Sequence, residues 1–317
     1  DSILDQANGK IILLNYNNQT NVEYLIEKLG SITKGFVVYF GVRSTASSYQ
    51  ESVLNIKYDN GYSNLIGNEG YFECLVNEDV YNEYLSYLEN DIEIEFEVYV
   101  GYSIELKESK NIIGLYDNKY TDQEIIIGAH YDGVDCPAAN DNASGTATML
   151  ELARVISENK LNYDIRFIAF GSEELGLHGS SNYVDTLTED EISNIEYVIN
   201  LDMVGVGDEL GIFKATEESD TELVELADKI AEKNNVNHNV YTMGRSDHVP
   251  FDYYGIKSIM LLYQEDLNYH TENDTYENLL ESNIENDNIK NVLNLVMRIV
   301  NKINCGFQTK SEINEAA

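Results

Sequence analysis

Five segments of this chain place histidine or acidic side chains just past an apolar run, where they could bind metal ions or transfer protons. In chain order these residues are His130 with Asp132, Asp141, the adjacent pair Glu173 and Glu174, Asp202, and His270. Imidazole nitrogens and carboxylate oxygens are ligands that a catalytic zinc ion takes. Two ions that share a carboxylate can activate one water and polarise one carbonyl group. One further carboxylate must stay off the metals to take the proton.

The spacing within these segments indicates how the groups could work together. Residues 130 and 132 point to the same side of an extended chain, so His130 can bind a metal ion while Asp132 orients its imidazole ring. Glu173 and Glu174 follow an apolar run, and past the end of a strand both side chains can turn towards one pocket. Asp141, between two asparagines, can equally belong to a turn that caps a helix.

The elements that must position these groups form an α/β pattern from about residue 106 onwards, because strand-like apolar runs alternate with helical periodicity. The predicted strands are Asn111–Tyr116, Glu124–His130, Asp164–Phe170, Ile195–Asp202, Gly211–Thr216 and Ile256–Tyr263, and the predicted helices follow Asn142, span Thr221–Asn234 and run from Ile289 to Ile303. Ligands of open α/β sheets bind at the carboxyl ends of strands, where the candidate residues fall.

The chain divides into a smaller and a larger region. Residues 1–105 are predicted to form a β-rich α+β domain, residues 106–308 an α/β domain with a mixed, largely parallel central sheet sandwiched by helices, and residues 309–317 a polar tail. In the smaller region the predicted strands are Lys10–Asn15, Gly35–Phe40, Gly70–Val76 and Ile92–Val100, and the predicted helices are Asn21–Leu29 and Asp79–Leu88. The polar segment after Cys305 is expected to fray.

The charge balance limits the partners of this protein. It has 56 acidic and 20 basic residues, which gives a formal net charge of -36. Binding to nucleic acid needs clustered lysine and arginine, and no such cluster occurs here. Anionic membrane surfaces are disfavoured for the same reason, and no apolar run is long enough to cross a bilayer. Cationic ligands, including metal ions and protonated peptide amines, would be attracted.

Three cysteines, Cys74, Cys136 and Cys305, form no CxxC pair and indicate neither a cysteine-rich metal site nor a disulfide scaffold. Cys136 lies between two candidate ligands in sequence, but nothing assigns it to a metal. The HExxH, GxSxG and phosphate-binding GxxxxGK[ST] motifs of rival chemistries are missing. The chain begins at Asp1 without a methionine or a charged and then apolar leader, so either a leader was removed or the sequence is a fragment. Of these, a processed, secreted enzyme is expected.

Six segments of the larger region carry a resemblance to a known family. In chain order they read GAHYDGV, NDNASG, FGSEELGLHGSSNYV, NLDMVG, GRSDHVPF and YHTENDT. The ordered set resembles the zinc aminopeptidases of the M28 family, of the leucyl aminopeptidase and aminopeptidase Y type, over residues from about 110 to 305. This resemblance implies a zinc-exopeptidase fold, two divalent metal ions with zinc as the expected metal, and peptides with a free amino terminus as substrates.

The resemblance also implies the metal ligands. Asp141 would bridge the two metals, His130 and Asp202 would complete one site, and Glu174 and His270 would bind the other. This pairing comes from the family and is not visible in the spacing of the residues.

For the reaction itself, the resemblance implies that Glu173 is the general base and that Tyr269 is the phenol that stabilises the developing oxyanion. Arg245 and Asp247 lie in the segment that resembles the substrate loop, where a backbone carbonyl helps to hold the free amine. His178, His238 and His248 are interpreted as structural histidines.

The smaller region resembles, more loosely, the protease-associated domain often attached to these enzymes. The resemblance rests on the passages NGKIILLNYN and ITKGFVVYFG and on the helix predicted after Val76, in that order. No sharp motif supports it.

Other functions fit the same scaffold. A carboxypeptidase would need cationic side chains for the terminal carboxylate, and only Arg245 of the five arginines lies in a site-forming segment. A glutaminyl cyclase suits one metal and a tryptophan-lined pocket, whereas this chain has no tryptophan. A non-catalytic binding protein would be expected to have lost ligands or the base, and here all six positions are filled.

Overall fold

The computed structural model describes residues 8–16, 35–40, 72–75, 78–92, 107–118, 121, 123–134 and 136–315. Its backbone separates into two compact units, Asp1–Leu106 and Lys107–Ala317.

The described part of the first unit contains a parallel three-stranded sheet in the order β1-β2-β3. The elements are β1 (Ile11–Tyr16), β2 (Gly35–Phe40), β3 (Phe72–Leu75) and helix α1 (Glu78–Glu89). Each lies within one or two residues of a strand or helix predicted from the sequence. The helix predicted at residues 21–29 and the strand predicted from residue 92 fall outside the described residues, apart from Ile92. The resemblance to a protease-associated domain therefore stays a prediction.

The second unit is built on a seven-stranded sheet in the order β4-β6-β5-β7-β10-β8-β9. Its strands are β4 (Ile112–Tyr116), β5 (Glu124–His130), β6 (Asp164–Phe170), β7 (Ile195–Leu201), β8 (Leu210–Lys214), β9 (His238–Thr242) and β10 (Ser258–Tyr263). The four central strands β6, β5, β7 and β10 are parallel to one another, while β4 and β8 pair antiparallel with their neighbours in this group. The predicted mixed, largely parallel sheet is confirmed.

Seven helices follow in the described part of this unit. They are α2 (Gly145–Ser157), α3 (His178–Asp185), α4 (Glu189–Asn194), α5 (Glu222–Lys233), α6 (His248–Tyr253), α7 (Tyr276–Asn286) and α8 (Asn288–Glu315). The last helix continues to Glu315, so the prediction that the chain frays into a polar tail after Cys305 was wrong for the backbone up to that residue. None of the described helices has the length and apolar character needed to cross a membrane.

Strand β9 was not predicted from the sequence, and its environment explains why. It lies at the edge of the sheet and reads His-Asn-Val-Tyr-Thr, with no residue of the strand fully buried. A strand that is exposed on both faces needs no apolar alternation, so it lacks the pattern that reveals a strand in sequence.

Two apolar cores cover the two faces of the sheet, and consecutive residues of β5 alternate between them. Ile125 and Ile127 belong to the core under α2, α5 and α8, whereas Ile126 belongs to the core under α3 and α6. All three side chains have no exposed surface. Successive side chains of a strand point to opposite faces, which is why a central parallel strand with helices on both sides reads as a continuous apolar run.

The parallel direction of the four central strands decides where the candidate site lies. His130 is the last residue of β5, Glu173 follows the end of β6 by three residues, and Asp202 directly follows β7. His270 lies seven residues past the end of β10. Because these strands run in the same direction, their carboxyl ends meet at one edge of the sheet.

The packing of α2 leads to a prediction. Leu152 has no exposed surface, while Leu150 on the same helix is 62% exposed. We expect Leu152→Ala to lower the free energy of unfolding by about 2–5 kcal/mol, because it removes buried methyl groups and leaves a cavity. Leu150→Ala should change it by no more than about 0.5 kcal/mol. Urea unfolding followed by circular dichroism measures both, and equal effects would contradict the assigned faces of α2.

Candidate metal centre

The carboxylate of Asp141 lies at the centre of the candidate site, between two imidazole rings. Its Oδ1 is 3.1 Å from His130 Nε2, and its Oδ2 is 3.0 Å from His270 Nε2. Asp141 is only 3% exposed. Each oxygen of this buried carboxylate therefore faces a different histidine, one from the end of β5 and one from the loop after β10.

A second carboxylate accompanies each histidine. Asp202 Oδ1 lies 3.5 Å from His130 Nε2, and Glu174 Oε2 lies 3.1 Å from His270 Nε2. Ligands of a tetrahedral zinc ion, bound at about 2.0–2.1 Å, stand about 3.3 Å from one another. The separations observed between these nitrogen and oxygen atoms match that spacing. The structure thus brings together all five residues that were expected to bind metal.

Unpaired buried atoms support a cation at this position. Glu174 Oε1 and His270 Nε2 are buried, yet neither has a hydrogen bond of acceptable geometry within the described residues. Buried polar atoms without partners are costly, and both of these atoms offer a lone pair to a metal ion. Ligand atoms of His130, Asp141 and Glu174 also lie within 4.8 Å of one another. The oxygen and nitrogen donors suit zinc.

The electrostatics of the cluster favour positive charge. Burial works against a charged imidazole at His270, but Asp141 and Glu174 outweigh it and raise the pKa of His270 to about 9. Burial likewise works against a charged Asp141, but His130 and His270 outweigh it and lower the pKa of Asp141 to about 2. Burial opposes the charge on His130 too, and Asp132, Asp141 and Asp202 raise its pKa nevertheless. The acidic groups around the two imidazoles therefore favour positive charge at this position.

Glu173 differs from the other carboxylates of the site. Burial, followed by the nearby charge of Asp202, raises the pKa of Glu173 to about 9. Its carboxylate has no hydrogen bond or ion pair to another described residue. Two neighbouring carboxyl groups whose pKa values are pushed apart usually have different roles. Asp141 is suited to bind cations, and Glu173 is suited to take and return a proton.

Asp132 supports two parts of the site at once. The Nδ1 of His130 lies 3.1 Å from the backbone oxygen of Asp132 and 3.6 Å from its carboxylate. The same carboxylate accepts hydrogen bonds from the backbone N–H groups of Glu173, at 3.1 Å, and Glu174, at 3.2 Å. Asp132 therefore contacts the ring of His130, as predicted, and it also anchors the turn that carries both glutamates, which sequence reasoning missed.

Tyr269 stacks on the metal-centre histidine that follows it. The rings of Tyr269 and His270 are 3.7 Å apart between centroids and 24° from parallel. Burial, together with the charges of Asp141 and Glu174, raises the pKa of the Tyr269 phenol. The hydroxyl group therefore keeps its proton at neutral pH and can donate a hydrogen bond.

A set of polar side chains that the sequence analysis overlooked holds the backbone around Asp141. Asp274 accepts hydrogen bonds from the backbone N–H groups of Asn140, at 2.7 Å, and Asp141, at 3.0 Å. Asn142 donates to the backbone oxygen of Leu201 and accepts from Gly145 and Met203. The Asn-Asp-Asn segment is thus a helix cap in part, as its alternative interpretation held. The same asparagine also ties the loop to the end of β7.

Asp202 is held in turn by Ser246 of the loop before α6. Ser246 Oγ donates to Asp202 Oδ2 at 2.6 Å and accepts from Asn200 Nδ2 at 2.8 Å. All three residues are buried. Ser246 belongs to the GRSDHVPF segment, but the sequence did not indicate its hydrogen bond to Asp202.

Asp247, which was expected to contact substrate, has no exposed surface, so that contact stays a prediction. It accepts a hydrogen bond from Ser180 Oγ of α3, at 2.5 Å, and its burial raises its pKa to about 7. Through this hydrogen bond the buried side chain joins the start of α6 to α3. Arg245, two residues earlier, is exposed.

Two other histidines have partners outside this cluster, and the group of candidate ligand atoms found among the described residues contains no cysteine. His248 has no exposed surface, its Nε2 lies 3.0 Å from the backbone oxygen of Met243, and its burial lowers its pKa to about 4. His238 Nε2 lies 3.0 Å from Asp228. Cys136 is a partly buried free thiol, and Cys305 is free and exposed.

The family profile of Peptidase family M28 matches residues 111–297, which is more than half of the chain. The chain belongs to peptidase family M28. It is 40% identical to aminopeptidase YwaD of Bacillus subtilis over 56% of this chain and 42% of that protein. It is 33% identical to aminopeptidase Y of Saccharomyces cerevisiae over 52% of this chain and 32% of that protein. The chain thus spans less than half the length of these relatives.

Solved structures of two aminopeptidases and of one other enzyme share this fold. An aminopeptidase from Aneurinibacillus sp. strain AM-1 has a TM-score of 0.68 and 28% identity, covering 93% of this chain and 69% of that one. A zinc aminopeptidase from Bacillus subtilis has a TM-score of 0.65 and 29% identity, covering 94% of this chain and 71% of that one. A glutaminyl cyclase from Porphyromonas gingivalis, at 21% identity and a TM-score of 0.52, shares the fold.

The contacts of Asp274 lead to a prediction about metal affinity. In Asp274→Asn, one backbone N–H group near Asp141 faces an amide NH₂ instead of a carboxylate oxygen, so the loop is held less firmly. We expect zinc affinity to fall about 10–100-fold, as is typical for residues that orient metal ligands.

Glu272→Gln is the matched control, because Glu272 is exposed in the same loop and its substitution removes one negative charge, as Asp274→Asn does. Competition with a chromogenic chelator measures both affinities. If both variants bound zinc as the unmodified protein does, the anchoring role of Asp274 would be refuted.

Proposed function

We propose that this M28 chain is a zinc-dependent aminopeptidase that removes amino-terminal residues from peptides and uses two divalent ions. One observation carries the proposal. The two oxygens of Asp141 face two separate histidine–carboxylate pairs, while a carboxylate of high proton affinity, Glu173, stands beside them unpaired. Relatives named as aminopeptidases agree with it.

The ligand arrangement supports two ions. His130 and Asp202 would hold one, Glu174 and His270 the other, and Asp141 would contribute to both. When bound, two such ions lower the pKa of a water and polarise the scissile carbonyl group.

Glu173 is the residue that we assign to proton transfer. Its carboxylate takes a proton from the attacking water as the carbon–oxygen bond forms. It then delivers that proton to the leaving amine nitrogen as the carbon–nitrogen bond breaks. A base must lie within reach of the reacting water. Two observations support Glu173: its carboxylate has no hydrogen bond or ion pair to another described residue, and its backbone belongs to the turn that Asp132 anchors and that also carries Glu174.

Two further groups would bind the reacting peptide. The Tyr269 hydroxyl group, kept protonated by its surroundings, donates a hydrogen bond to the carbonyl oxygen as negative charge develops there. The acidic residues of the site and the backbone carbonyl of Arg245 hold the protonated α-amine. A positively charged amino terminus is also drawn to a chain of net charge -36.

Glu173→Gln tests the assignment of the base. The amide cannot accept the proton, so we expect kcat on leucine p-nitroanilide to fall at least about 100-fold. Metal content should stay at two zinc ions per chain, since Glu173 is not a ligand. Glu174→Gln, its neighbour, should instead lose zinc, as plasma emission spectrometry would show. Full activity of Glu173→Gln would remove this residue from the mechanism.

Tyr269→Phe tests the phenol. The ring keeps its stacking on His270, but the hydroxyl donor is gone, so we expect kcat to fall about 10–100-fold with little change in KM. Tyr276→Phe is the matched control, because Tyr276 is 64% exposed on α7. Equal kcat values for the two variants would argue against a hydroxyl group that acts on the transition state.

A pair of substrates separates the remaining functions on this scaffold. The proposed enzyme cleaves leucine p-nitroanilide and leaves its amino-acetylated form intact. A carboxypeptidase would not need the free amine, a glutaminyl cyclase would act on amino-terminal glutamine, and a binding protein would turn over neither compound.

A further inference from the structure

The guanidinium group of Arg245 is exposed and forms no ion pair with a described residue, although the chain has 56 acidic residues. Of the other three arginines in the described part, Arg298 is also exposed and without an ion pair there, while the remaining two are paired. Arg154 contacts Glu151 and Glu158, and Arg166 contacts Glu124. Arg245 is therefore available to bind an anion that comes from outside the chain.

The position of Arg245 is fixed close to the metal centre. The next residue, Ser246, donates a hydrogen bond to Asp202 Oδ2 at 2.6 Å. Consecutive Cα atoms are 3.8 Å apart, so the Arg245 Cα lies within about 9 Å of that oxygen. Asp247 is tied to Ser180 and wholly buried. The backbone beside Arg245 is thus anchored on its carboxyl side, and the arginine side chain remains exposed.

The charge of the site limits what this arginine could bind. The acidic residues of the site, among them Asp202 beside Ser246, would repel any carboxylate that a substrate brings near. In a dipeptide or tripeptide, the terminal carboxylate lies one or two residues past the scissile bond, roughly 4–8 Å away. A guanidinium group matches a carboxylate with two parallel hydrogen bonds and would offset that repulsion.

We propose that the Arg245 side chain binds the free terminal carboxylate of short peptides and makes dipeptides and tripeptides preferred substrates. This inference rests on the proposed aminopeptidase function and adds a substrate class to it. The role concerns the side chain and is separate from the backbone carbonyl that was expected to hold the amine.

The test compares leucyl-alanine with leucyl-alanine amide, which differ only in the terminal carboxylate. We expect the ratio of their kcat/KM values to favour the free acid in the unmodified enzyme. In Arg245→Gln this ratio should fall about 10–100-fold, as expected for loss of a hydrogen-bonded charge. Arg245→Lys, which keeps the charge but not the planar fork, should give an intermediate ratio. Because both substrates have the same amino terminus and scissile bond, the ratio of their kcat/KM values is independent of any effect of the substitution on amine binding or on folding.

Arg298→Gln is the matched control, since Arg298 is another exposed arginine and its loss changes the net charge equally. It should leave the ratio unchanged. An unchanged ratio in Arg245→Gln, or an equal fall in both variants, would overturn the role of Arg245. Failure of the unmodified enzyme to cleave leucine p-nitroanilide would refute the proposed aminopeptidase instead, so the two failures are distinguishable.

Discussion

The burial of several carboxylates at one edge of the sheet is the constraint on which the rest of this structure depends. Asp141 is almost wholly buried, with Asp202, Glu173 and Glu174 around it and two imidazole rings as the nearest cationic groups. Like charges held this close in a site of low polarity repel one another, and only bound cations or protons offset the repulsion. The pKa values of His270 and Glu173 are raised in part because the nearby carboxylates favour the protonated form of each group.

The fold meets this constraint by holding the backbone that carries the acidic residues. Parallel strands bring His130, Glu173 and Asp202 to one edge, and hydrogen bonds to the backbone then fix the loops between them. The side chains of Asp274, Asn142 and Asp132 each accept hydrogen bonds from backbone N–H groups far away in the sequence. These bonds oppose any movement of the ligands that would relieve their repulsion. A site organised in this way binds cations with little rearrangement.

The same geometry gives neighbouring residues of one loop different roles. Glu173 and Glu174 are neighbours in sequence and share the anchor provided by Asp132, yet only Glu174 meets His270. Ser246 and Asp247 are also neighbours, and one holds a metal ligand while the other joins two helices. Arg245, beside them, is exposed. In this loop Ser246 thus holds a candidate metal ligand, Asp247 joins two helices, and Arg245 faces solvent.

The sequence by itself determined the central strands and the candidate ligands. A buried parallel strand must be apolar on both faces, and a metal ligand must be one of a few residue types at a strand end. It did not reveal strand β9, whose exposed faces need no apolar pattern, or the continuation of α8 through a polar segment. Only the tertiary structure decided that Asp247 is buried, that Asp274 supports Asp141, and which carboxylate faces which histidine. Burial and contact depend on residues far apart in the chain, and local spacing carries no information about them.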